Sequence, residues 1–236
     1  MSNLIAASLV FLGIHFFISG TRIRDAIAAA IGEGPYLGAF ALASLIAIVW
    51  LVSAYNAASA SADNRVLYDL GIGVRHLAIP VVALAFLLGM QGLLAPNPAA
   101  VRQENAAASE GTVRGVLRIT RHPFLWGVMI WSAFHLAANG DLASVIFFGT
   151  FLMLACVGTR LIDAKRKRKL GPVWDAYAYK TSNIPFGAAL SGRNKLKLGE
   201  SFGGRFWAAA AIFVVVLFAH AWLFGASPFP NGWVPF

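Results

Sequence analysis

The chain has 236 residues, of which 58% are apolar and only 12% are charged, and its net charge at neutral pH is +9. About a quarter of the residues are charged in an average soluble domain, so this composition excludes an ordinary water-soluble globular protein. It indicates a protein whose main solvent is lipid.

Apolar segments that could cross a membrane occur six times along the chain. About 20 apolar residues span the hydrocarbon core, and flanking residues or tilt can complete a shorter segment. The first segment is predicted to be retained, because no basic stretch precedes it as in a signal peptide. We predict an all-α, polytopic membrane helix bundle of about six transmembrane helices, at residues 4–20, 36–55, 76–95, 123–138, 142–159 and 206–225.

The positions of the basic residues predict the orientation of this bundle. With six spans, the loops after spans one, three and five share one side and hold two, four and eleven Lys or Arg residues, which is 17 of the 19 in the chain. Because cytoplasmic loops carry the excess of Lys and Arg, both termini are predicted on the non-cytoplasmic side. The basic run at residues 165–169 favours attraction to anionic headgroups of the lipid bilayer over nucleic-acid binding.

Two polar connectors lie on the predicted cytoplasmic side. In the first, at residues 96–120, Arg114 and Arg118 fall with the following Arg121 within about a 60° arc at helical spacing, which predicts a helix lying against headgroups. The second, at residues 160–205, contains helix-breaking Gly and Pro residues and is too short for an independent domain. The chain, 1–236, is therefore predicted to form a single domain with a cytoplasmic basic segment.

Five histidines lie in or near the predicted spans, where ionisable groups are rare and usually functional. At the helical rise per residue, His15 and His122 fall toward the cytoplasmic side, and His76, His135 and His220 toward the outer side. Each could simply form a hydrogen bond between helices. Imidazole also ligates iron, copper and zinc, and without a cysteine pair or glutamate cluster the inventory fits haem held between spans best.

Spacing restricts which histidines can act together. His122 and His135 are 13 residues apart on one predicted helix, so they lie about 20 Å apart along its axis. They cannot bind one iron together, and a pair of axial ligands has to come from different spans.

Four blocks of the sequence, "FLGIHFFISGTRIRDAIAAAIGEGPYLGAFALASLIAIVW", "RHLAIPVVALAFLL", "RITRHPFLWGVMIWSAFHLAANGDLASVIFFGTF" and "YKTSNIPF", carry a family resemblance. In this order they resemble the NnrU family of bacterial integral membrane proteins. The resemblance implies a multi-pass protein of the bacterial inner membrane with a role linked to nitrogen-oxide reduction. "RITRHP", the histidine after it and "YKTSNIPF" also resemble the related 15-cis-zeta-carotene isomerases, which use haem b to isomerise a cis double bond of a polyene.

The isomerase resemblance implies haem b, with His15 and His135 as the metal ligands, and redox-dependent isomerisation of a lipid-soluble substrate. His15 lies one helical turn before the Ser-Gly next to which the isomerases carry a ligand, and Ser132 replaces their neighbouring cysteine. Predicted depths separate the pair by about 10 Å, whereas two nitrogens on one iron lie about 4 Å apart. His122 matches the depth of His15 better, and Arg118 and Arg121 are further cofactor contacts because guanidinium binds carboxylates.

Two alternatives remain. "RHPFLWG" and "LGPVWDAYAYKTSNIPF" resemble membrane methyltransferases of the isoprenylcysteine carboxyl methyltransferase type, which bind S-adenosylmethionine. Here Leu125 replaces the tyrosine of that motif, and only Asp163 lies near the position of its paired glutamates. The third possibility is a non-catalytic accessory protein for denitrification or respiratory enzymes.

Overall fold

The computed structural model of the chain describes residues 1–109 and 111–229, and within these it is all-helical apart from one isolated β-bridge, Val66 to Asp141. A π-helix, Ile14–Ser19, continues the first helix, and short 3-10 helices lie at Glu104–Ala108, Gly115–Arg118 and Leu198–Ser201. The α-helices are α1 (Ser2–Gly13), α2 (Arg22–Ile31), α3 (Glu33–Ser59), α4 (Ile72–His76), α5 (Ala78–Leu94), α6 (Pro123–Ala138), α7 (Leu142–Leu170), α8 (Pro172–Lys180), α9 (Gly187–Leu190) and α10 (Gly204–Phe224).

Within the described residues, four helical segments are long and apolar enough to cross a membrane: α1 with its π-helix, α3, α7 and α10. Helices α5 and α6 are apolar but shorter, with 17 and 16 residues. The all-α membrane bundle is therefore confirmed, while the count of six spans and the sides of the termini stay predictions. His76 ends the separate helix α4, so the third predicted span begins at Ala78 instead.

One local prediction about the connectors was wrong, and another is refined. Helix α7 continues to Leu170 and ends at the predicted helix-breaking Gly171 and Pro172, so the first part of the basic segment belongs to this helix. Arg114, Arg118 and Arg121 do not share a helix, because only Gly115–Arg118 form a 3-10 turn and Arg114 is extended. The physical reason is Gly115, whose φ of +55° lies in the left-handed region and cannot continue an α-helix from Arg114.

Helix α7 packs against α1, α3 and α6, and its contacts show the relative directions of these helices. The rings of Phe11 and Phe151 are 5.7 Å apart, and a Cβ added at Gly20 would lie 2.7 Å from Cδ1 of Leu161. From Phe11 to Gly20 along the first helical segment, the contact moves from Phe151 to Leu161 along α7, so α1 runs parallel to α7. A short turn reverses the chain between α6 and α7, so α6 runs antiparallel to α1.

Helices α5 and α6 approach closely through glycine. A Cβ added at Gly127 would lie 2.6 Å from the carbonyl oxygen of Ala85 and 2.8 Å from Cα of Gly89. Small residues allow such contact between helices in lipid, where van der Waals packing drives association. Helix α10 packs against α5, with the rings of Phe86 and Phe213 5.6 Å apart.

Candidate functional site

The blocks "RITRHP" and "YKTSNIPF" meet at the basic end of the bundle. The backbone N–H of Arg121 donates to the carbonyl oxygen of Ser182 at 2.9 Å. The carbonyl oxygen of Asn183 accepts from the Thr120 hydroxyl at 2.6 Å and from the Trp126 indole at 2.7 Å. Thr120 is fully buried, so the two segments form one rigid polar junction.

Asp163 binds both candidate cofactor residues of this junction. Its carboxylate accepts from Nε of Arg121, at 3.0 Å to each oxygen, and its Oδ1 lies 2.7 Å from Nε2 of His122. The His122 side chain is 1% exposed. These two residues are therefore occupied by an internal contact that stabilises the basic cap, the part of the protein formed by this junction and the two polar connectors. The position of Asp163 just before the basic run at 165–169 could have indicated such a pairing in the sequence.

Arg118, the third cofactor candidate at this end, is also paired. Its Nε donates to Oε2 of Glu200 at 2.8 Å, and its Nη2 donates to Oε1 at 3.2 Å. The bidentate contact connects the loop before α6 with the 3-10 turn before α10. The structure thus commits the charges of Arg118 and Arg121 to carboxylates of the protein itself.

His15 lies in the π-helix, in an aromatic environment. Its Nδ1 is 2.7 Å from the carbonyl oxygen of Phe11, and its ring centroid is 4.6 Å from that of Phe11 and 5.4 Å from that of Phe40. Nε2 has no hydrogen-bond partner among the described residues. π-Helical turns are rare and frequent at functional sites, and nothing in the amino-acid pattern of this segment predicted one.

His135 has the same arrangement on α6. Its Nδ1 is 2.8 Å from the carbonyl oxygen of Trp131, and its ring centroid lies 4.9 Å from the indole of Trp131 and 4.7 Å from the ring of Phe148. Its Nε2 also has no hydrogen-bond partner within residues 1–109 and 111–229. His220 is near enough to interact with it electrostatically.

The structure does not bring His15 and His135 together. The Phe151 ring contacts both Phe11, at 5.7 Å, and Trp131, at 5.6 Å. Each histidine lies one turn further along its own helix, and because α1 and α6 are antiparallel these turns lead in opposite directions. The two Cα atoms are therefore separated by about two turns, roughly 11 Å along the axis.

The placement of His15 and His135 affects how these residues could bind haem. A histidine that ligates a metal usually donates its other ring N–H to a carbonyl or carboxylate, and the Nδ1 contacts of His15 and His135 fit that pattern. Each imidazole could hold a haem iron by itself, and a separation of roughly 11 Å along the axis is larger than the spacing of two nitrogen ligands on one iron. Ser132, at the position of the isomerase cysteine, is fully buried and donates to the carbonyl oxygen of Val128. The described residues contain no group of three His, Cys, Asp or Glu side chains that could hold a metal.

Similarity to known proteins indicates the family of this helical bundle and of its two aromatic histidine sites. The family model described as "NnrU protein" matches residues 3–228. The chain belongs to the NnrU family. Nearly the whole helical bundle, including the polar junction and both aromatic histidine sites, is therefore covered by the NnrU match.

A curated relative of this NnrU chain is the chloroplastic 15-cis-zeta-carotene isomerase of Zea mays. The two sequences are 29% identical over 122 residues, which is 50% of this chain and 33% of the isomerase. The match thus spans about a third of that relative's length. No solved structure matches the chain.

Proposed function

We propose that this NnrU protein is a membrane isomerase for a lipid-soluble polyene, located in the bacterial inner membrane, and that it binds haem b through Nε2 of His15 and of His135. The similarity to the maize isomerase supports the reaction class. The observation that carries the haem proposal is the pair of half-buried imidazoles, each with Nδ1 held by a backbone carbonyl and with aromatic rings beside it, whose Nε2 has no hydrogen-bond partner among the described residues.

The helix directions determine how the two histidines act in this proposal. Because α1 and α6 are antiparallel, His15 and His135 lie in opposite directions from Phe151. Each imidazole would therefore serve as the single protein ligand of its own haem. A bound, reduced haem would lend electron density to the cis double bond and recover it after rotation, which would lower the rotation barrier without net oxidation of the polyene.

The residues around each imidazole have defined tasks. The carbonyl oxygens of Phe11 and Trp131 hold the ring proton on Nδ1, so the lone pair of Nε2 points away from the helix backbone. The rings of Phe40, Phe148 and Phe151 exclude water and provide apolar surface for a polyene. The junction at Asp163 fixes the basic end of α6 against α7.

Neither alternative gains an observation in its favour. A methyltransferase would need free carboxylates and a free guanidinium for S-adenosylmethionine, but Asp163 is bound by Arg121 and His122, and Arg118 by Glu200. An accessory role in nitrogen-oxide reduction remains the outcome to expect if the protein binds neither haem nor a polyene.

Absorption spectroscopy tests the haem proposal. The detergent-purified protein is expected to show a Soret band that shifts on dithionite reduction, and each of His15→Ala and His135→Ala is expected to remove about half of the haem per polypeptide. His76→Ala is the matched control, because its Nδ1 binds the carbonyl oxygen of Ile72 in the same way but its side chain is exposed. The proposal would be overturned if the protein stayed colourless after reconstitution with haem, or if His76→Ala lost as much haem as His15→Ala and His135→Ala.

The isomerase part has its own readout. Purified protein in lipid is incubated with a cis polyene under reducing conditions, and the isomers are separated by chromatography. Formation of the trans isomer above the level of the double histidine variant supports isomerisation. Haem binding without any isomer formation would contradict the reaction class while leaving the haem sites intact.

A further inference from the structure

A polar cavity of about 370 Å³ lies at the basic end of the molecule, and neither His15 nor His135 lines it. The 3-10 segment before α6, helix α8 and the loop after α9 form its walls. Three cationic side chains, Arg118, Lys180 and Arg193, line it, and no carboxylate does so among the described residues. Such a cavity is built to attract an anion.

The charges of these cations are unequally satisfied. Arg118 is neutralised by Glu200 at 2.8 Å. In the part of the chain that the structure describes, Arg193 donates to neutral acceptors alone, the carbonyl oxygens of Tyr179 and Thr181 and the hydroxyl of Ser191. Lys180 has no ion-pair partner within the described residues and is exposed. Within residues 1–109 and 111–229, these two positive charges therefore have no carboxylate partner.

Two further polar atoms of the wall also lack partners. The Tyr177 hydroxyl and Oδ1 of Asn194 are both buried and have no hydrogen-bond partner among the described residues. Tyr177 as a whole is only 3% exposed. Burial raises the pKa of Tyr177, so its hydroxyl stays protonated and can donate. Buried polar groups are nearly always hydrogen-bonded, so a bound group offering both an acceptor and a donor would complete this wall.

An apolar groove of about 660 Å³ adjoins the cavity and shares Asn194 with it. Its walls include Phe186, Leu190 and Leu196, which are 42%, 86% and 41% exposed. Apolar side chains this exposed, at the predicted membrane surface, are suited to acyl chains. The juxtaposition of a cationic cavity and an apolar groove matches the headgroup and tail of one lipid.

We propose that this site binds one anionic glycerophospholipid, with its phosphate at Lys180 and Arg193, its headgroup hydroxyls at Tyr177 and Asn194, and an acyl chain in the groove of Phe186, Leu190 and Leu196. Phosphate is a preferred partner of Lys and Arg, and anionic lipids are enriched at the cytoplasmic leaflet. The site is separate from the proposed haem ligands.

Native mass spectrometry of the detergent-purified chain tests this proposal with dioleoylphosphatidylglycerol as the probe. Lys180→Gln is expected to weaken binding about tenfold, since a charge-assisted hydrogen bond contributes about 1.5 kcal/mol or more. Tyr177→Phe, which keeps the buried ring, is expected to weaken it about threefold. Arg168→Gln is the matched control, because it removes one exposed charge of the same basic region outside the cavity.

The outcomes separate a built site from general attraction. Equal weakening by Lys180→Gln and Arg168→Gln, or equal binding of dioleoylphosphatidylcholine, would overturn the proposal. Binding of sn-glycerol 3-phosphate as tight as that of the lipid would assign the cavity to a soluble phosphate ester instead. The Soret band should be unchanged in Lys180→Gln, so failure here is distinguishable from failure of the haem proposal.

Discussion

The lipid-embedded bundle and the basic cap are held together by different interactions. In the bundle, helices meet through rings such as Phe151 and through close contacts at Gly127. In the cap, buried charges carry the contacts, with Asp163 bound to Arg121 and His122, and Arg166 bound to Glu104. The stability of the bundle thus depends on the close fit of its helices, and that of the cap on ion pairing.

The difference follows from the two solvents. Lipid tails are as apolar as the helix surfaces, so apolar burial does not drive helix association and close packing has to. In the cap, a charge removed from water is costly unless its partner is present. The stability of the bundle should therefore be most sensitive to added side-chain volume, and the stability of the cap to the loss of a single carboxylate.

The largest effect is expected for Asp163→Asn. The substitution keeps the shape but leaves the Arg121 guanidinium, 14% exposed, without a counter-charge, and breaking a mostly buried pair costs about 3 kcal/mol. The measurement is the unfolding free energy from titration of detergent micelles with dodecyl sulfate. Asp175→Asn is the control, because its ion pair with Lys167 is exposed and should contribute less than about 1 kcal/mol. Equal losses in both variants would contradict the contrast between buried and exposed pairs.

Glu104→Gln should have the next largest effect, about 2 kcal/mol, because Arg166 is 4% exposed and loses its carboxylate. Burial alone would raise the pKa of Glu104, but its hydrogen bonds and the charge of Arg166 together hold that pKa below the ordinary value of 4.5. A lowered pKa in the folded state stabilises the protein above pH 4.5, and this stabilisation is lost as the pH falls through the folded-state value.

Unfolding measured at several pH values checks this sign. The free-energy difference between the native chain and Glu104→Gln should be full at pH 7 and shrink below pH 4.5. A difference that grows on acidification would show that the Glu104 carboxylate is not stabilised by Arg166.

Gly127→Ala tests the bundle side of the comparison. A methyl group there would lie 2.6 Å from the carbonyl oxygen of Ala85, and overpacking of this kind costs about 1 to 3 kcal/mol. Gly149→Ala in α7 is the control, since an added Cβ meets nothing within 4 Å and alanine favours a helix. We expect Gly127→Ala to lower the unfolding free energy and Gly149→Ala to leave it unchanged or raise it slightly.

The helices themselves could be predicted from the sequence, because apolar length alone marks a membrane segment. The predicted segment at 36–55 lies inside α3, and α6 begins and ends at the predicted residues. Helix α7 extends beyond the predicted span at 142–159 because Arg and Lys are good helix formers, so charge after residue 159 ends the apolar stretch without ending the helix.

The candidate site was less predictable. Depth along ideal helices already indicated that His15 and His135 lie apart, but no residue pattern indicated the π-helix that contains His15. The binding of Arg121 and His122 by Asp163 depends on two segments about 40 residues apart. Such pairing is set by tertiary packing, which spacing within one helix cannot supply.

Glu200→Gln provides the smallest and most discriminating comparison. Glu200 receives two hydrogen bonds from Arg118, and the Gly115 N–H donates a third at 3.0 Å. The contact thus resembles that of Asp163 with Arg121, in which one guanidinium also donates to both carboxylate oxygens. The Glu200 side chain is 31% exposed, however, whereas that of Asp163 is 20% exposed and its partner His122 is fully enclosed.

Because solvent and ions screen the more exposed pair, Glu200→Gln should cost less than about 1 kcal/mol. The cost should fall further in 1 M salt, where the screening length is about 3 Å, while the cost of Asp163→Asn should persist. Unfolding free energies of both variants at low and high salt provide the test. If the two costs prove equal, or both vanish in salt, burial does not distinguish the two pairs and the cap is held by ordinary surface electrostatics.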